Sequence, residues 1–148
     1  MTINIRTKGQ NGEREIAKDL NAIIRVVMNE RNMKDISEEV IQRNQNQSAV
    51  GGSDLTNVFD LSIEIKRQET LNVNTWWKQC IASAERNNHI PILIFRQNRK
   101  SWRVVMNTLM NVGNKQIQVR SEIDYEDFKY WFYLYTQFQF ENGYELKV

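Results

Sequence analysis

Apolar residues first recur at helical spacing between residues 11 and 31. There Ile16, Leu20, Ile23, Ile24, Val27 and Met28 line one side, while Arg14, Lys18 and Arg25 point elsewhere. Residues 38–45, EEVIQRNQ, give a weak strand signal that runs into the amide-rich NQNQSAVGG, where Gly51-Gly52 marks a turn before a short strand near Asp54. Residues 61–67 alternate cleanly, with Leu61, Ile63 and Ile65 on one face and Ser62, Glu64 and Lys66 on the other. A helix is expected over 74–88, with Asn74 or Thr75 as its N-cap. Pro91 opens an apolar strand, PILIF, and a basic turn, QNRKS, leads to a second strand, WRVVM.

The chain then enters an acidic, aromatic helix over about 124–140. Phe128, Trp131, Tyr135 and Phe138 recur near helical spacing as a core stripe, and Asp124, Glu126 and Asp127 suit the first turn, where the helix dipole favours negative charge. Tyr130, Phe132 and Tyr133 lie off that stripe, so one face cannot bury them all; a self-association surface is the sharper reading. The order helix, strands, helix, strands, helix gives an α/β (α+β) class, a central mixed sheet flanked by helices. The length of 148 residues fits a single domain spanning 1–148.

Composition narrows the chemistry. One Cys forms no internal disulfide, Cys-rich zinc site or iron–sulfur cluster, and one His, His89, builds no His-pair metal site. Cys80 reads as a small buried hydrophobe, His89 as a surface residue, and one of Trp76 and Trp77 as core with the other free for an interface or DNA. The N-terminal MTINIRTKGQNGERE has no apolar h-region, and no stretch reaches the roughly 18 apolar residues of a membrane span. The expectation is a cytoplasmic protein. The net charge of +2 conceals an uneven distribution: residues 1–120 hold 18 bases and 12 acids, residues 121–148 hold 2 and 6. Between Glu85 and Glu122 there is no acid, but there are seven bases, including Arg96, Arg99, Lys100 and Arg103. Interleaved with Trp102 and amides, this block suits a phosphate-contacting surface.

One constellation carries chemistry. Glu64 and Lys66 share a strand face, a hairpin would return Asp54 beside Glu64, and Glu13 continues the buried stripe of the first helix by preceding Ile16 by three and Leu20 by seven. Three inward carboxylates and a lysine are costly to bury without a cation. A hard divalent ion such as Mg²⁺, with Mn²⁺ as substitute, resolves that cost. It would polarise a scissile phosphate and activate a water, with Lys66 positioning the water or stabilising developing charge.

KGQNGERE at 8–15, GGSD at 51–54 and IEIKR at 63–67 resemble the nuclease core of archaeal-type Holliday-junction resolvases, members of the PD-(D/E)XK superfamily with the restriction-endonuclease-like fold. TWWKQCIASAE at 75–85 and PILIFRQNRKSWRVVM at 91–106 resemble small phage-encoded relatives, so the likeness covers about residues 8–106. It implies that Glu13, Asp54 and Glu64 are metal ligands together with the Ile65 carbonyl, that Lys66 is the catalytic lysine, and that homodimers cut branched DNA symmetrically. Ser53 stands where the superfamily has Pro. The branch with Gln-x-x-x-Tyr in the helix after the lysine is disfavoured, because Gln79 is followed by Ser83. Contacts to branched or double-stranded DNA are expected from Lys8, Arg43, Gln47, Gln79, Arg96, Arg99, Lys100 and Arg103. The other readings are a nuclease for flap, nicked or linear duplex DNA, and a non-catalytic DNA-binding protein that keeps the fold.

Overall fold

The computed structural model describes residues 5–33, 39–44 and 53–145. Helix α1 (Ile5–Glu30) leads to two short strands, β1 (Gln42–Arg43) and β2 (Leu55–Thr56). Then come β3 (Leu61–Arg67), α2 (Val73–Asn87), β4 (Ile90–Arg96), β5 (Arg103–Val112), β6 (Lys115–Asp124) and α3 (Tyr125–Glu141). Four strands form one sheet in the order β3-β4-β5-β6, with β3 parallel to β4 and the later pairs antiparallel. The expected mixed sheet between helices is therefore what the chain builds. No described helix is long and apolar enough to cross a membrane.

The parallel β3–β4 pair needs a crossover, and α2 supplies it. Ile92 to Phe95 are buried without alternation because helices cover both faces of the sheet. One face packs Ile63, Ile65, Ile92, Ile94 and Val104 against α1 and α3. The other packs Leu93, Phe95 and Val105 against Trp76, Trp77 and Cys80 of α2. Both tryptophans are thus interior, and neither is free for an interface or for DNA. Pro91 lies just outside the Ile92–Phe95 stretch that pairs with β5, so its missing N–H interrupts no bond there.

Several boundaries differ from the sequence reading for physical reasons. Helix α1 begins at residue 5, ahead of its apolar stripe. Its first turns are held by an ion pair from Lys8 Nζ to Glu69 Oε1 at 3.2 Å, and by a close approach at Gly12. A Cβ on Gly12 would sit 3.1 Å from Trp102 Cη2 and 3.6 Å from Ile65 Cγ2. The strand expected over 38–45 shrinks to Gln42–Arg43, while residues 34–38 and 45–52, including the Gly51-Gly52 turn, lie outside the described residues. The segment before it is bonded to a side chain instead of a strand. Asn21 Oδ1 accepts from Ile41 N at 2.8 Å, and Asn21 Nδ2 donates to Ile41 O at 2.9 Å and to Glu39 Oε2 at 2.8 Å. Helix α2 starts one residue earlier than expected, with Asn72, not Asn74 or Thr75, at the N-cap and no side-chain cap bond.

The β5–β6 hairpin was not legible beyond WRVVM. Its outer half buries neither face, so alternation there carries no hydrophobic contrast. Gly113, with φ +59°, opens its two-residue turn.

In α3 the buried residues are Tyr125, Phe128, Phe132, Thr136 and Phe140, and Asp124 caps the helix by accepting from Asp127 N at 2.8 Å. The expected stripe is displaced: Phe132 is fully buried, whereas Phe138 is 55% exposed. Phe128, Trp131, Tyr135 and Phe138 instead form a stacked aromatic ladder along the edge of the buried face. Tyrosines at the margins reach acids of neighbouring elements, with Tyr125 donating to Asp19 at 2.8 Å, Tyr133 to Glu30 at 2.6 Å and Tyr135 to Asp60.

Candidate active site

Strand β3 lies at one edge of the four-stranded sheet, with β4 along one side and residue 54 along the other. Asp54 N donates to Ile63 O at 2.9 Å, and Ile65 N donates to Asp54 Oδ2 at 2.6 Å. No β2–β3 ladder forms, since β2 pairs with β1; these two bonds do the work expected of a hairpin. The N–H and C=O of one strand residue open to the same side, so the Ile65 carbonyl faces the Asp54 edge. Glu64, the intervening residue, shares its sheet face with Ser62 and Lys66.

The electrostatics make these residues one centre. Burial raises the Asp54 carboxyl to about 6, against the Ile65 N–H bond that lowers it. Burial, then the Asp54 charge and a hydrogen bond with it, push Glu64 up to about 8. The pair therefore shares one proton near neutral pH. Lys66 lowers both values, and the Glu13 charge raises both. Glu13 itself is buried on α1, and Arg43 Nε of β1 donates to its Oε2 at 2.7 Å. Among the described residues no three His, Cys, Asp or Glu side chains form a metal-binding group. Asp54 and Glu64 are a two-carboxylate centre, and Glu13 is engaged by Arg43. The donor set, two acids and a carbonyl at one strand edge, fits a hard divalent cation, because without one the two acids are compelled to share a proton.

The expected DNA-contacting residues fall into separate places. Arg96, Lys100 and Arg103 line one cleft of about 340 Å³ together with Gln97 and Ser101. Arg96 lies over the Trp102 ring at 4.9 Å and 3.5 Å from Glu15, while Arg103 is bidentate to Glu122 at 3.0 and 2.7 Å. Arg99 and Lys100 are exposed in the β4–β5 turn, and Gln79 is exposed on α2. Lys8 is ion-paired to Glu69, which also accepts from Gln97 Nε2 at 2.7 Å and Asn98 N at 2.8 Å beside that cleft, and Arg43 is ion-paired to Glu13. Gln47 lies outside the described residues. His89 is half-buried, with Nδ1 3.4 Å from Ser62 Oγ, not a free surface residue. Cys80 is a buried thiol, its pKa pushed up by burial, as a small hydrophobe should be.

Sequence reasoning missed Asn21, which fixes the segment leading to Arg43, and Glu15, which accepts from Trp102 Nε1 at 3.0 Å. Asn21 left a signal: it is polar, yet falls at helical spacing with buried Ala17, Ile24 and Met28.

The mixed sheet and its edge centre, an Asp and a Glu with a lysine two residues on, define the chain as an α+β protein with a D-x9-E-x-K site. Residues 4–144 match the sequence model of a family described as "Phage putative PDDEXK endonuclease", and the chain belongs to that family of nucleases. The likeness read from KGQNGERE, GGSD and IEIKR holds at that level. Among solved structures, the Holliday junction resolvase Hjc of Archaeoglobus fulgidus is similar, with 13% identity and a TM-score of 0.45 over 82% of this chain and 95% of that one. No curated protein matches.

Proposed function

We propose that this chain is a Mg²⁺-dependent, structure-selective endonuclease that cuts phosphodiester bonds in branched DNA, a one-domain Holliday-junction resolvase working as a homodimer in the host cytoplasm. The observation that carries the reading is the proton-sharing Asp54–Glu64 pair beside Lys66 at the β3 edge. The junction preference rests on the motif likeness at 8–15, 51–54 and 63–67.

Asp54, Glu64 and the Ile65 carbonyl would hold the ion, with Mn²⁺ as substitute. The bound ion would polarise the scissile phosphate and lower the pKa of an attacking water. Glu13, here paired with Arg43, would be a further ligand. The Lys66 ammonium orients the water and offsets charge developing on the phosphate. In-line attack leaves 5′-phosphate and 3′-hydroxyl ends.

Purified protein is expected to cut a mobile four-way junction with Mg²⁺ and to leave linear duplex nearly untouched. Glu64→Ala should lower cutting by about 10³-fold or more while junction binding persists. Equal cutting of duplex and junction points instead to a nuclease for other DNA, and binding without cutting in Mg²⁺ or Mn²⁺ to a non-catalytic protein.

A further inference from the structure

The outer face of α3 and the outer half of the β5–β6 hairpin are both apolar, both uncovered, and lie on the same side of the sheet. On α3, Tyr130, Leu134 and Phe138 follow one another at four-residue spacing and are 66, 44 and 55% exposed. On the hairpin, Met110 and Val112 of β5 and Ile117 of β6 are 54, 50 and 44% exposed. They share a sheet face because Met110 pairs with Ile117 and Val112 sits two residues on. Val104, Met106 and Ile123 place that face: two or more rungs nearer the core, they pack into the cluster that holds Phe128 and Phe132 of α3. The hairpin is therefore a ledge projecting beyond α3, one helix layer below its outer face.

We propose that two copies of this chain interlock step into step, the α3 of each seated on the hairpin ledge of the other. This names the surface of the homodimer proposed above and rests on that reading. A two-fold axis makes the two contacts identical, and each α3 ends between its own sheet and the partner's hairpin. The charges match. Residues 107–121 carry Lys115 and Arg120 and no acid, a charge of +2, whereas 125–141 carry three acids against Lys129, a charge of −2. The six half-exposed side chains offer on the order of 600 Å² of apolar surface per copy before their polar flanks are counted, near the ~800 Å² each partner gives a stable interface. DNA is a poor occupant, because a phosphate backbone has nothing to set against Met110, Val112 and Ile117.

Sedimentation of the full chain at tens of micromolar should show a dimer. Ile117→Lys and Leu134→Glu should each weaken it about tenfold or more, with circular dichroism unchanged, and an equimolar mixture should restore a dimer through the one Lys–Glu contact. A dimer untouched by either substitution overturns the ledge while leaving the homodimer standing. So does a self-linked Gln118→Cys variant, which would place the β6 edges together. A monomeric wild type that still cuts junctions overturns both the ledge and the homodimer and spares the nuclease; a dimer that cuts nothing spares the ledge alone.

Discussion

At Asp54 and Glu64 two acids occupy a space that favours one negative charge, and the consequence is a pH dependence of unusual sign for carboxylates. Both values lie above those of the unfolded chain, near 3.8 and 4.5, reaching about 6 and about 8. The neutral forms therefore stabilise the fold. That stability is intact below the unfolded values and is lost as pH rises through the folded ones. In metal-free protein, wild type should fall progressively behind Glu64→Gln in melting temperature between about pH 5 and pH 8, and saturating Mg²⁺ should close most of the gap. A gap that does not change with pH would show that the pair shares no proton.

At the scale of elements, close approach and buried polar bonds fix what periodicity leaves open. Gly12 lets α1 lie against Trp102 and Ile65, which brings Glu13 toward β3. Asn21 holds both the N–H and the C=O of Ile41, so the chain reaches Arg43 in a set register. Asn21→Ala strands both backbone groups and should cost about 1–3 kcal/mol in denaturant unfolding. It should also lower cutting more than it lowers junction binding, because Arg43 and Glu13 lose their alignment; an unaffected unfolding midpoint would remove the clamp from the account. In α3 the aromatic count exceeds one buried face, and the excess is absorbed by tyrosine hydroxyls bonded to Asp19, Glu30 and Asp60 and by the ladder through Trp131.

Across the whole molecule the near-neutral sum of +2 hides a basic body and an acidic helix. Setting aside Glu13, Asp54 and Glu64, residues 1–120 hold 18 bases against 9 acids. Much of that charge is already committed: Lys8, Arg43, Arg96 and Arg103 each lie against a carboxylate. Exposed Arg99 and Lys100 in the β4–β5 turn should then dominate the salt dependence. Replacing both with Ala should reduce the slope of log affinity against log salt by about 2, measured by junction binding across a salt series. An unchanged slope would place the DNA path elsewhere.

Local signals were enough wherever apolar and polar residues alternate or recur at a fixed period. The alternation of LSIEIKR set β3 over its full length, and the Ile16-to-Met28 stripe gave the body of α1. Residue chemistry in order along the chain, Glu13, Asp54, Glu64 and Lys66, singled out a candidate centre, of which the fold brings Asp54 and Glu64 together while Glu13 pairs with Arg43. What the sequence could not specify depends on distant neighbours. Whether Phe132 or Phe138 faces the core, whether a hairpin outlasts its hydrophobic contrast, and which cation answers Glu13 are decided by packing, because each turns on partners tens of residues away. Burial then sets the proton shared by Asp54 and Glu64, a property that neither acid has alone.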